Sequence, residues 1–173
     1  MKKIQIIMLL IPFISIPYLS SCKRENSVYA ERQAMLDSLK TMVDSLNEIQ
    51  QTETANKKLV ADFYQEFFGD KNIGAIDTFI GETYIQHNPM LPDGKDALRK
   101  AAEKWFKDAP KKNVDILHLG ADGNYVYIHT KATLNKEDYS VVDIFRIENG
   151  KIVEHWDVIQ KVPEESANSH PMF

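Results

Sequence analysis

Asn149-Gly150 separates two runs of alternating side chains, residues 138–148 and 151–160. Asn-Gly is the strongest short-range hairpin signal, because a type I′ turn needs φ > 0 at both central residues. The runs therefore pair antiparallel, with Glu148 opposite Lys151. A regular register then sets Ile147 against Ile152, Phe145 against Glu154 and Asp143 against Trp156. A second turn near Asn135-Lys136-Glu137 separates 138–148 from an earlier run that starts at Asn124. A three-residue loop there sets His129 opposite Asp143, whereas a two-residue loop would put them on opposite faces, since side chains alternate with period two. The three-residue register predicts a row of His129, Asp143 and Trp156, with neighbouring Cβ atoms roughly 5 Å apart. The next row is Tyr127, Phe145 and Glu154. A carboxylate and an imidazole among aromatics is an odd composition for a plain core.

On the same register the other face carries Val126, Ile128, Val142, Ile144, Val153 and Ile159. That is too apolar for water, so a homodimer through the outer sheet face is expected. His155 and Asp157 fall on that face and read as structural; Glu154 stays ambiguous.

The 173 residues are 43% hydrophobic and 27% charged, with net charge −4, which fits one globular domain plus an extra segment. Lysines are scattered among acids without a basic cluster, so no nucleic-acid partner is expected. The single cysteine, Cys22, excludes an intrachain disulfide framework and a cysteine metal site. Residues 1–22 read as a targeting segment: Lys2 and Lys3, then an apolar stretch broken by Pro12 and Pro17 and shorter than the ~20 residues that span a bilayer. Its end, Leu19-Ser20-Ser21-Cys22, resembles the bacterial lipoprotein box. The resemblance implies cleavage before Cys22, lipidation of Cys22 and an envelope location, periplasmic or surface-facing, on a membrane.

Residues 23–53 read as a helical stalk. Met35, Leu39, Met42, Leu46 and Ile49 are spaced 4-3-4-3, the seam of a coiled coil. Either a dimeric coil or a stalk lying on its own domain or on a partner subunit fits this short run. Residues 54–173 form the folded domain. Thr54 is a candidate N-cap. Leu59, Val60, Phe63, Tyr64, Phe67 and Phe68 recur at helical spacing up to Gly69, with Phe63, Tyr64 and Phe67 as possible cavity contacts. A short helix over 72–80 follows, then an extended piece into His87-Asn88-Pro89, a helix over 95–108 and a strand over 114–119. Helices followed by a run of strands mean an α+β fold.

Three pieces carry a family resemblance: Tyr84-Ile-Gln-His-Asn-Pro, the run from Val142 to Val158, and the Asn168-Ser-His-Pro-Met-Phe tail. From Thr54 onward the chain resembles the SnoaL-like polyketide cyclases of the nuclear transport factor two-like superfamily. The resemblance implies a cone-shaped barrel of curved antiparallel sheet, with three helices on its concave face. In the polyketide cyclases an aspartate is the acid/base, with a histidine fourteen residues before it; Asp143 and His129 have that spacing.

The expected chemistry is proton abstraction α to a carbonyl in a small apolar molecule. Asp143 would be base, His129 its partner and His87 a second donor. Trp156, Tyr127 and Phe145 would wall the pocket, and Asn88 would reach in from the loop. No cofactor is expected. Metal binding by His87, His129 and Asp143 is not expected either, because no short-spaced ligand pair supports it. A non-catalytic lipoprotein that holds an apolar molecule in the same pocket is the alternative.

Overall fold

The computed structural model describes residues 18–173 except Asn135, with side chains from Arg24 onward. The expected leader up to residue 17 and the side chain of Cys22 lie outside the described residues. The described residues divide into two units on either side of the Ser45–Leu46 boundary. One helix, α1 (Tyr18–Tyr64), contributes to both. It is unbroken through Thr54, so the expected N-cap there is corrected: Thr54 Oγ1 donates back to the carbonyl of Gln50 at 2.7 Å, as hydroxyls do inside helices. In the first unit Val28, Tyr29, Met35, Leu36, Leu39 and Met42 are all exposed.

In the second unit α1 ends in a π-turn, Gln65–Gly69, followed by α2 (Ala75–Phe79), β1 (Ile80–Gln86), α3 (Lys95–Trp105), β2 (Ile116–Asp122), β3 (Tyr125–Leu134), β4 (Glu137–Glu148) and β5 (Lys151–Lys161). This is the element order the sequence predicts. The strands form one open, curved sheet in the order β1-β5-β4-β3-β2. β2 to β5 are antiparallel; β1 runs parallel to β5, a departure from the expected all-antiparallel sheet.

The aromatic stripe of α1 drives the packing. Val60, Phe63, Tyr64 and Phe67 are buried together with Phe145 of β4 and Val126 and Ile128 of β3. Phe63 and Phe67 stack at 5.2 Å, and Phe63 meets Phe145 edge-on at 5.9 Å. Burying each such side chain contributes roughly 1.5–3 kcal/mol.

Two local features set the register. The β3–β4 turn has two residues, with Leu134 paired to Glu137, so His129 pairs with Val142 and Ile128 with Asp143. Lys136 adopts φ 69°, the left-handed conformation that a tight turn demands. At Asn149-Gly150 the predicted turn forms, with φ 51° and 69°. Glu148 faces Lys151 and Ile147 faces Ile152, as predicted. Val153 is then a bulge: Arg146 pairs with Glu154, so Phe145 faces His155, Ile144 faces Trp156 and Asp143 faces Asp157. Gly81 of β1 makes room for the bulged side chain, since a Cβ there would sit 2.9 Å from Val153 Cγ1.

Both shifts overturn the expected faces. His129, Tyr127, Trp156 and Glu154 lie on the outer face, away from the helices, because each pairs with an outward-facing residue of β4. His155 and Asp157 come to the inner face. Val126, Ile128 and Val153, expected on a dimer surface, are instead buried in the chain's own core. The outer face nevertheless stays apolar and aromatic, with Tyr125, Tyr127, Val142 and Val158 exposed. The tail ends with Phe173 under the Lys131 ammonium, 4.6 Å from the ring centre.

Candidate functional site

The inner face places a compact polar cluster in the aromatic core. Its centre is Asp143, 4% exposed. The middle of β4 carries it inward between Val141 and Phe145, all three buried. Tyr64, on the last turn of α1, donates its hydroxyl proton to Asp143 Oδ2. The same hydroxyl oxygen lies 3.5 Å from Thr130 Oγ1. From β5, His155 Nε2 lies 2.8 Å from Asp143 Oδ1. The bulge at Val153 produces this contact, since it turns His155 to the inner face. Phe145 stacks on the imidazole at 4.8 Å. Asp157, directly across from Asp143, is only half-buried and accepts a hydrogen bond from Asn88 Nδ2 at 2.6 Å. At the end of β1, the Gln86 carboxamide reaches Nδ1 of His155 at 2.9 Å and the Tyr84 hydroxyl at 3.2 Å.

The phenols behave as fixed proton donors or dipoles. Burial first, then the charge of Asp143 and the hydrogen bond to it, hold the Tyr64 hydroxyl well above the usual phenol range. Tyr84 is raised as well, by burial and then by the charges of Asp143 and Asp157. Both stay protonated at neutral pH, so Tyr64 remains a donor to Asp143.

The expected His129–Asp143–Trp156 row does not exist. His129 Nδ1 lies 3.0 Å from His118 Nδ1, and its Nε2 lies 2.8 Å from Ser140 Oγ on the outer face. His87 also belongs to the outer face. It stacks on Trp156 at 4.5 Å and meets Glu154 Oε1 at 2.9 Å, and this bond is the main reason the Glu154 carboxyl lies below its ordinary value. Tyr127 is exposed there too. Of the predicted residues, Asp143, Phe145 and Asn88 are at the cluster; His129, His87, Trp156 and Tyr127 are not. The sequence reading assigned no site role to Thr130, Tyr84, Gln86, His155 or Asp157, and for Tyr64 it named only a cavity contact. His155 and Asp157 had the right chemistry but the wrong face, and Gln86 lay within the extended Tyr84–Pro89 piece.

Asp143, His155 and Asp157 each offer one donor atom, all within 4.8 Å of one another. Such an oxygen–oxygen–nitrogen set is chemically able to hold a divalent ion. Each of the three already has a hydrogen-bond partner: Tyr64 and His155 engage Asp143, Gln86 engages His155, and Asn88 engages Oδ2 of Asp157. A half-exposed carboxylate backed by a buried carboxylate–imidazole pair can take up, hold and return a proton.

Residues 58–167 match the SnoaL-like polyketide cyclase family, and the chain belongs to it. Solved structures of the nuclear transport factor two-like superfamily share its fold at low identity. One is an NTF-2-like protein of unknown function from Burkholderia xenovorans, at 15% identity and a TM-score of 0.56, covering 67% of this chain and 91% of that one. Another is TsrD from Streptomyces laurentii, at 17% identity and a TM-score of 0.52, covering 61% of this chain and 88% of that one. A third is an LEH-like epoxide hydrolase from M. tuberculosis, at 16% identity and a TM-score of 0.51, covering 62% and 84%. No curated protein sequence matches the chain.

Proposed function

We propose that the protein is an acid/base enzyme acting on a small apolar carbonyl compound, in a reaction of the aldol-cyclase or isomerase kind. The observation that carries this reading is the buried Asp143–His155 contact at 2.8 Å, with Asp157 within 4.8 Å of both. Asp143 as base, the sequence expectation, takes an altered form. Both of its oxygens are engaged by Tyr64 and His155, and Asn88 holds Oδ2 of Asp157, which leaves Asp157 Oδ1 outside these bonds. Asp157 therefore takes the substrate's α-proton, while Asp143 and His155 stabilise the protonation change behind it. Asn88, which donates to Asp157, orients the developing enolate. Acid/base assistance of this kind contributes about 10²–10⁴-fold to a rate.

A second reading has its own support. Asp143 is almost wholly buried. That burial favours a lipoprotein that holds a small molecule without turnover. Deuterium uptake at the α-carbon of small cyclic ketones and β-diketones in heavy water, followed by NMR, separates the readings. Enzyme-catalysed uptake, lost about 100-fold or more in Asp157→Asn, supports the first; ligand retention without uptake by the wild type supports the second.

Two further parts of the proposal concern placement. Lipidation of Cys22 would anchor the chain to an envelope membrane; no helix of the described residues is long and apolar enough to cross one. The outer sheet face, with Tyr125, Tyr127, Val142, Trp156 and Val158, would meet a second copy.

A further inference from the structure

β1 joins the sheet parallel to β5, with Gln86 beside His155 as its Cα partner. One atom of the Gln86 carboxamide lies 2.9 Å from the backbone nitrogen of Asn88 and 2.9 Å from His155 Nδ1. A backbone N–H only donates, so the atom facing it is the amide oxygen. The amide nitrogen is thereby directed to the Tyr84 hydroxyl at 3.2 Å, which accepts from it. An amide oxygen only accepts, so the histidine nitrogen against it must carry a hydrogen.

We infer that Gln86 is a positioning residue that locks His155 in the form protonated at Nδ1, and so turns Nε2 to Asp143 as the proton-exchanging atom. With Nδ1–H fixed, the contact between Nε2 and Asp143 Oδ1 holds one mobile proton. The proton sits on Nε2, giving imidazolium and carboxylate, or on Oδ1, giving imidazole and carboxylic acid. It crosses between them without a ring flip and without leaving the pair. In the opposite tautomer a neutral His155 would donate from Nε2 to Asp143, and its free lone pair would be on Nδ1, pointing away from both carboxylates. Gln86 thus does for this imidazole what a hydrogen-bonded backing group does for a metal-bound one: it fixes tautomer and ring orientation together. The backbone of Gln86 is itself held, its N–H donating to Asp93 Oδ1 at 2.7 Å. The catalytic meaning rests on the acid/base reading above, but the tautomer does not.

The test is long-range ¹H–¹⁵N NMR of the histidine rings in the full chain, with His155 assigned among the five histidines by its loss in His155→Gln. The wild type is expected to show a protonated Nδ1 across the neutral range. Gln86→Glu, whose carboxylate accepts both hydrogen bonds, keeps it; Gln86→Leu moves the hydrogen to Nε2. A bare Nδ1 in the wild type overturns the inference, as does a Gln86→Leu spectrum identical to wild type. If Gln86→Leu does not fold, the wild-type and Gln86→Glu spectra still decide. Failure to find turnover would sink the acid/base reading and leave the tautomer result standing. Where turnover is found, Gln86→Leu lowers kcat about 10–100-fold with KM little changed, and Gln86→Glu restores most of it.

Discussion

Tyr64 stands where the core and the candidate site meet. Its ring packs 6.3 Å from Phe145 while its hydroxyl donates to Asp143. Replacing it with Phe keeps the packing and leaves a buried carboxylate oxygen without its donor. A hydrogen bond to a charged group contributes about 1.5–3 kcal/mol, so Tyr64→Phe should lower unfolding free energy by that amount in urea titrations at pH 7. The pH dependence has a definite sign. The hydroxyl is held above the ordinary phenol range in the folded chain, so its contribution is fully present below about pH 10. It is lost as pH rises beyond that, through the raised folded value. The alkaline fall in stability should therefore be steeper for the wild type than for Tyr64→Phe, as urea titrations at increasing pH would record.

Among the elements, α1 and the β4–β5 hairpin fix where the site forms. Phe67 is fully buried against Phe63, Phe68 and Phe106, and Phe67→Ala should cost about 3–5 kcal/mol by the same measurement. Thr54 gives the opposite forecast: exposed in mid-helix, its change to Ala should move stability by less than about 0.5 kcal/mol. Loss of an N-cap would cost about 1 kcal/mol. Helix periodicity, the strand sequence and the Asn149-Gly150 turn were readable from residues alone, because each depends on local backbone chemistry. The faces were not. A turn shorter by one residue moved His129 outward, and one bulged residue, Val153, moved Trp156 outward and His155 inward. The bulge answers to Gly81, some seventy residues away, where the missing side chain admits Val153. No window around β5 contains that information. Asp143 and Phe145 kept their predicted face, where Phe145 packs on Phe63 and Tyr64 of α1.

For the whole molecule, the proposed assembly is tested at apolar surfaces exposed among the described residues. Val158 is 66% exposed beside Trp156 on the outer sheet face. If that face meets a second copy, Val158→Glu should shift the sedimenting species from dimer to monomer while the folded domain persists. Leu39 and Met42, exposed on the stalk stripe, supply an independent check, since Leu39→Asp should weaken any association that runs through the stalk and leave the sheet contact unaffected. The register brings His155, and not His129, to Asp143, and the proposed chemistry assigns the working imidazole to His155. The most direct test of that assignment compares two variants in the α-carbon deuterium-exchange assay. His155→Gln should lower the exchange rate about 100-fold or more, while His129→Ala stays within about threefold of wild type. A large loss in His129→Ala with His155→Gln near wild type would contradict the account.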